Sequence, residues 1–159
     1  MKKKPRIIFI SSTGGHLTEL FQLRDLFIES DYHIITENTP TNKSLKEKYN
    51  NKINYLVYGT RKNLIVYIFK FIYNIIKSFI LYVRIRPQYI ITTGTHTAVP
   101  MCYIGHIFKS KIIYIETFAN TNKPTETGKM IYKIADLFIV QWESMLEFYP
   151  NALYGGWIF

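Results

Sequence analysis

Cysteine is nearly absent. Cys102 stands alone in an apolar stretch, so neither a disulfide framework nor a cysteine metal site can form within the chain, and a reducing compartment is expected. Acidic residues are scarce as well, 11 Asp and Glu against 20 Lys and Arg. The resulting formal charge of +9 predicts attraction to a polyanion, whether nucleic acid, an anionic membrane face or a phosphorylated substrate. No zinc-finger, RRM, KH or basic-zipper pattern occurs, so nucleic acid is not an expected partner. Also missing are a Gly-x-Gly-x-x-Gly fingerprint, a Gly-Lys-Ser/Thr phosphate loop, a Gly-x-Ser-x-Gly nucleophile elbow and any recognisably spaced pair of acid/base carboxylates. The basic start, Lys2 to Lys4 with Arg6, is followed only by Ile7 to Ile10 before polar residues intervene. That is too short for the apolar region of a secretion signal, and export is not expected.

What is present is a core. At 159 residues and 48% hydrophobic the chain is about one domain long and can bury its own interior, so 1–159 is read as a single domain. Apolar, β-branched runs recur at Arg6 to Ser11, His33 to Thr36, Ile53 to Val57, Tyr89 to Thr92, Lys111 to Glu116 and Leu137 to Val140. Short, nearly continuous runs of this kind are strands buried on both faces. Between the first two, Leu17, Leu20, Phe21, Leu23, Leu26 and Phe27 follow helical spacing, with Glu19, Arg24, Asp25 and Glu29 mostly opposite. The alternation predicts an α/β fold, a Rossmann-like doubly wound parallel sheet.

Ligands of such sheets bind beyond the carboxyl ends of the strands. Three of those ends are chemically unusual: Ser12-Thr13-Gly14-Gly15-His16, Thr92-Thr93-Gly94-Thr95-His96-Thr97 and Glu116-Thr117-Phe118-Ala119-Asn120. Small residues at a helix start let backbone N–H groups approach an anion, which makes the first loop a candidate diphosphate holder. The glycines alternatively serve only tight turns, and Thr93 or Thr95 only a helix cap. His16 is a candidate general base or a donor to a phosphate oxygen, the holding role being preferred, or else a polar residue in a first helical turn. His96 occupies the matching place after the fourth strand. Glu116 closes an apolar strand and is either an acid/base candidate or a brace for its own loop. No further ligand set has metal-site spacing, and His33 and His106 are read as structural.

Asn63 to Arg84 is long enough to span a membrane if helical. Its thirteen Leu, Ile, Val and Phe residues contribute roughly −4 to −8 kcal/mol to insertion, and Lys70 with Lys77 costs about 5 to 7, so crossing is near break-even. At about 100° per residue Asn63, Lys70, Asn74, Lys77, Ser78 and Arg84 share one arc, which leaves an apolar face wider than a small domain needs. We expect an amphipathic helix at about 63–85 that lies on an anionic, cytoplasmic membrane surface with Tyr67, Lys70, Tyr73, Lys77 and Arg84 at the headgroup boundary. The alternatives are a partner protein on that face or burial by the domain itself.

The three loop motifs, in this order, resemble those of bacterial capsule and exopolysaccharide glycosyltransferase accessory subunits, a family that includes the enhancer of a capsular β-1,4-galactosyltransferase. These are similar to the membrane-recruiting subunit of the split eukaryotic transferase that adds the second GlcNAc to dolichol diphosphate-GlcNAc. The resemblance implies the N-terminal, acceptor-side half of a GT-B glycosyltransferase. A catalytic partner chain would bind the UDP-sugar, and this chain would bind no cofactor. It further implies that Ser12, Thr13, Gly14, Gly15 and His16, with Gly94, Thr95 and His96, face the diphosphate of a lipid-linked saccharide, and that Glu116 borders the cleft. The eukaryotic subunit's amino-terminal anchor has no clear counterpart, and the 63–85 helix is expected in its place. The apolar end that carries Trp157 and Phe159 is expected to pack on the partner subunit, the alternative being a last strand tucked into the domain. A self-sufficient small transferase and a non-catalytic membrane-peripheral binding protein remain as alternatives.

Overall fold

The computed structural model describes residues 3–60 and 63–158. Seven strands form one sheet: β1 (Arg6–Ile10), β2 (Asp31–Asn38), β3 (Ile53–Val57), β4 (Tyr89–Thr92), β5 (Lys111–Ile115), β6 (Leu137–Val140) and β7 (Leu153–Tyr154). Their order is β3-β2-β1-β4-β5-β6-β7, and every neighbouring pair is parallel. The winding runs outward from β1 through β2 to β3, then returns to the other side of β1 at β4. The direction therefore switches between β1 and β4, where the two following loops diverge and leave a crevice.

Six α-helices among the described residues cover the sheet: α1 (Gly15–Gln22), α2 (Asp25–Glu29), α3 (Leu45–Tyr49), α4 (Leu64–Ile85), α5 (Val99–Ile107) and α6 (Glu126–Tyr132). Alternate residues of β1 feed opposite faces. Ile7 and Phe9 join Leu17, Leu20 and Phe27 on the α1–α2 face, whereas Ile8 and Ile10 join Leu81, Tyr82, Val99, Met101 and Ile131 under α4, α5 and α6. The thiol of Cys102 is fully buried in that second layer, which pushes its pKa up to about 12, so it packs as an apolar residue.

Two expectations need correction here. The apolar spacing from Leu17 to Phe27 predicts one helix, but the chain turns at Leu23 and Arg24, with Leu23 N bonded to Leu20 O and Leu26 N to Leu23 O. The turn leaves Leu26 40% exposed. Glu19, assigned to the solvated side, is instead mostly covered.

The second correction concerns two of the residues assigned to the headgroup boundary on α4. The helix is where the sequence places it, with the Asn63 side chain accepting from Val66 N at its start, and by length and composition alone it is long and apolar enough to cross a membrane. Its orientation, however, is the reverse of an ordinary surface helix. Asn74 and Ser78 are buried along with Leu81, Tyr82 and Ile85, while twelve large apolar side chains between Leu64 and Val83 are 40–69% exposed. The cause is the sheet edge. β3 has β2 on one side only, and Asn74 supplies what that edge lacks: its Oδ1 accepts from Val57 N at 2.8 Å and its Nδ2 donates to Val57 O at 2.9 Å. Lys70 Nζ donates to Tyr58 O, and Tyr67 lies against the His96 ring. Of the five residues assigned to the headgroup boundary, Tyr67 and Lys70 thus face the domain. Tyr73, Lys77 and Arg84 remain at the border of the exposed face, Lys77 Nζ lying 5.6 Å from the Tyr73 ring centre.

Replacing Asn74 with Ala strands both backbone groups of Val57 at a half-buried edge. Urea unfolding should register a loss of about 1–3 kcal/mol, and a loss under about 0.5 kcal/mol would contradict this role.

Candidate functional site

At the switch between β1 and β4, the loops Ser11–Gly14 and Thr93–Thr97 lie side by side, Ser12 N donating to Gly94 O at 3.2 Å. Gly14 is the residue before α1 and has φ +83, a conformation that glycine adopts freely. No side chain caps α1, and the first of its turn's N–H groups to find a carbonyl is that of Leu17, on Gly14 O. The N–H groups of Gly14, Gly15 and His16 consequently stand at a positive helix end open to an anion.

His16 is fixed from β4. Its Nδ1 lies 2.7 Å from Thr93 O, and Thr93 Oγ1 donates back to His16 O at 2.7 Å. A carbonyl only accepts, so Nδ1 carries a proton, and when the ring is singly protonated Nε2 carries a lone pair. Gly94 passes beside the His16 ring and the Tyr114 hydroxyl with φ +102, a conformation that glycine adopts freely and that strains other residues. The next residues, Thr95 and His96, pair weakly through Thr95 Oγ1 and His96 Nδ1 at 3.4 Å. The His96 ring centre lies 5.7 Å from that of Tyr67 on α4.

Three carboxylates brace these loops. Glu37, at the end of β2, is 2% exposed. It accepts from Thr13 N at 3.1 Å and from Thr97 Oγ1 at 2.6 Å, tying the first loop to the fourth. Glu19, on α1, accepts from Thr117 Oγ1 at 2.7 Å and Phe118 N at 3.1 Å, tying the first loop to the fifth. Glu116, 1% exposed, accepts from Thr117 N at 3.2 Å, from Thr125 Oγ1 at 3.0 Å and 3.1 Å on its two oxygens, and from Tyr149 Oη at 3.0 Å. Gly128 lies so close that a Cβ would strike the Glu116 carboxylate and the Tyr149 hydroxyl. Its neighbours occupy Glu116 as a brace, so the structure gives it the loop-holding role and not that of an exposed acid.

Sequence reasoning thus named Ser12 to His16, Gly94 to His96 and Glu116 as one rim, and the fold brings them together. It passed over Glu19 and Glu37. The signal for Glu19 was present, since it follows His16 by one helical turn. That for Glu37 is weaker, since an acidic residue near the end of the second strand has nothing in its spacing that ties it to the loops after β1 and β4. Trp157 is 70% exposed and packs edge-on to Phe118 at 5.5 Å and to Trp142 at 5.8 Å. Strand pairing stops at Tyr154, so Trp157 extends the rim past the Glu116 loop. Phe159 and Lys2 lie outside the described residues. Among the described residues, no group of three or more His, Cys, Asp or Glu side chains is placed to hold a metal ion.

Burial, opposed by its hydrogen bonds, raises the Glu116 pKa above 4.5. Because the folded state then binds the proton more tightly than the unfolded chain, wild-type protein has extra stability below pH 4.5 that is lost as pH rises through the raised value. Glu116→Gln removes that dependence. Thermal melts between about pH 4 and 8 should show the variant gaining on wild type as pH rises, whereas parallel curves would contradict the assignment.

Comparison with known proteins agrees with this architecture. Among solved structures, MurG of Acinetobacter baumannii superposes with a TM-score of 0.69 at 14% identity, over 88% of this chain and 43% of that one. UDP-N-acetylglucosamine 2-epimerase of Rickettsia bellii gives 0.70 at 15% identity, over 92% and 41%. The fold is therefore the Rossmann-like unit of GT-B glycosyltransferases and epimerases, and the chain spans under half the length of these structures. By sequence it is 27% identical to the mouse UDP-N-acetylglucosamine transferase subunit ALG14 over 95% of this chain and 82% of that protein. It is 40% identical to the Candida albicans subunit of the same name over 54% of this chain and 42% of the relative. Residues 6–158 match the family described as "Oligosaccharide biosynthesis protein Alg14 like", and the chain belongs to that family.

Proposed function

We propose that this chain is the accessory, acceptor-side subunit of a two-chain UDP-sugar glycosyltransferase that acts on a lipid diphosphate-linked saccharide at the cytoplasmic face of a membrane. The observation that carries the reading is the open α1 start beside a fixed His16. The uncapped N–H groups of Gly14, Gly15 and His16 are donors for diphosphate oxygens, while neutral His16 offers an accepting Nε2. In this division of labour the loop holds the diphosphate, and His16, whose Nδ1 proton is already given to Thr93 O, acts on the acceptor hydroxyl in place of the phosphate-holding role preferred from sequence. Nε2 takes the hydroxyl proton as the oxygen bonds to the anomeric carbon of the donor sugar. The bond from that carbon to UDP breaks, UDP leaves with the electron pair, and the anomeric centre inverts. The donor nucleotide belongs to the partner chain, for which Trp157 beside Phe118 is an exposed aromatic contact at the rim. Nucleic acid has no place in this reading.

The relatives reported above are named as UDP-N-acetylglucosamine transferase subunits, which supports N-acetylglucosaminyl transfer. Capsule or exopolysaccharide synthesis, with undecaprenyl diphosphate as the lipid and galactose as the other donor sugar, rests on the motif resemblance alone.

The exposed face of α4 supports membrane attachment. Because Asn74, Ser78, Leu81, Tyr82 and Ile85 are packed against the domain, the helix cannot be surrounded by lipid without carrying β3 and α5 into the bilayer. We therefore propose that it lies in the membrane plane, outer residues down, with Tyr73, Lys77 and Arg84 along one border. Tyr67, at the start of this helix, touches His96 at the rim, so the acceptor loops would sit at headgroup depth.

With the partner present, His16→Ala should lower transfer at least about 100-fold, and undiminished transfer would remove the acceptor-loop assignment. Flotation with anionic vesicles should weaken at least about tenfold for Ile65→Asp with Phe69→Asp, two residues that leave the fold's interior untouched. Unchanged flotation would remove α4 from the membrane contact.

A further inference from the structure

Glu19 does more than tie two loops together. One of its oxygens, Oε1, accepts from both Thr117 Oγ1 and Phe118 N. The other, Oε2, is buried without a hydrogen-bond partner among the described residues and lies 3.7 Å from His16 Nδ1. A buried carboxylate oxygen left unpaired is costly, and here it lies beside the ring nitrogen opposite the Nε2 to which we assign the acceptor hydroxyl. The loop after β5 thus grips one half of the carboxylate and aims the other half at the histidine.

We propose that Glu19 is the positioning residue of the acceptor site, holding His16 in its Nδ1–H form and balancing the imidazolium that forms when Nε2 takes the acceptor proton. The inference rests on the reading of His16 given above. Two acceptors converge on Nδ1, Thr93 O at 2.7 Å and Glu19 Oε2 at 3.7 Å, and both favour a proton there. Thr93 O is neutral and can orient the ring but adds little when the ring becomes charged. Glu19 supplies the negative charge. A base oriented by a hydrogen bond and supported by a carboxylate is a general arrangement for activating a hydroxyl nucleophile. Glu37 and Glu116 do not share the role, since both are occupied by hydroxyl and backbone donors.

Glu19→Gln separates the two functions of the side chain. Its amide oxygen can still accept from Thr117 and Phe118, so the brace survives, but an NH2 group replaces the charged oxygen and opposes the Nδ1 proton. In the reconstituted pair of chains, with UDP-N-acetylglucosamine and a lipid diphosphate-linked saccharide, the variant should lose at least about tenfold in kcat, while KM for the acceptor changes less than about twofold. In a His16→Asn background the same substitution should change kcat less than about twofold, because its effect passes through the missing ring. Nitrogen-15 NMR of the imidazoles should show the Nδ1–H form for His16 in wild type and a shift toward Nε2–H in Glu19→Gln. Full activity with Glu19→Gln, losses that add to those of His16→Asn, or an unchanged tautomer would overturn the proposal. If His16→Asn alone transfers at the wild-type rate, the role assigned to His16 fails, and with it that of Glu19. If His16→Asn is crippled and Glu19→Gln is not, only the role of Glu19 fails.

Discussion

All seven strands of the sheet run the same way, and the rest of the molecule follows from that constraint. Parallel strands deliver all their carboxyl ends to one edge, so the loops after β4 and β5 meet the loop after β1 although they lie some 80 to 100 residues from it in the chain. Loops collected in this way are polar and irregular, and their backbone groups need partners. The buried carboxylates provide them. Glu37 links the loop after β1 to the loop after β4, Glu19 links α1 to the loop after β5, and Glu116 holds its own loop to α6 and Tyr149. What the carboxylates leave open, the start of α1 and Nε2 of His16, is the part with unspent chemistry.

Much of this was legible from residue order. The strands were visible because a sheet buried on both faces demands continuous β-branched runs, and each run from Arg6 to Val140 fell on its strand or within a few residues of it. The rim followed, because loops after parallel strands must share an edge. The break between α1 and α2 was hidden, since Leu23, Leu26 and Phe27 continue the apolar spacing straight through the turn. The bracing role of Glu19 was hidden for a related reason: its two donors, Thr117 and Phe118, lie about 100 positions away.

The inversion of α4 shows a further limit of periodicity. Spacing tells which side chains share a face but not which face turns inward. Apolar burial argues for the wide face of Ile65, Phe69, Ile72 and Ile76. The opposite face wins because Val57 at the sheet edge needs a donor and an acceptor, and Asn74 supplies both. The apolar surface this leaves outside is the feature that sets the helix apart from a core element, and its first turns adjoin His96 through Tyr67. On the proposed reading, membrane contact and acceptor site would therefore be neighbours in the fold, as a subunit that takes its substrate from a lipid requires.

The central claim is that this chain carries the acceptor half of an active site completed by another chain. The most direct test is transfer from UDP-N-acetylglucosamine to a lipid diphosphate-linked saccharide by this chain alone, by the partner chain alone and by the two together. The account predicts product only from the pair. Turnover by this chain alone at the rate of the pair would contradict it.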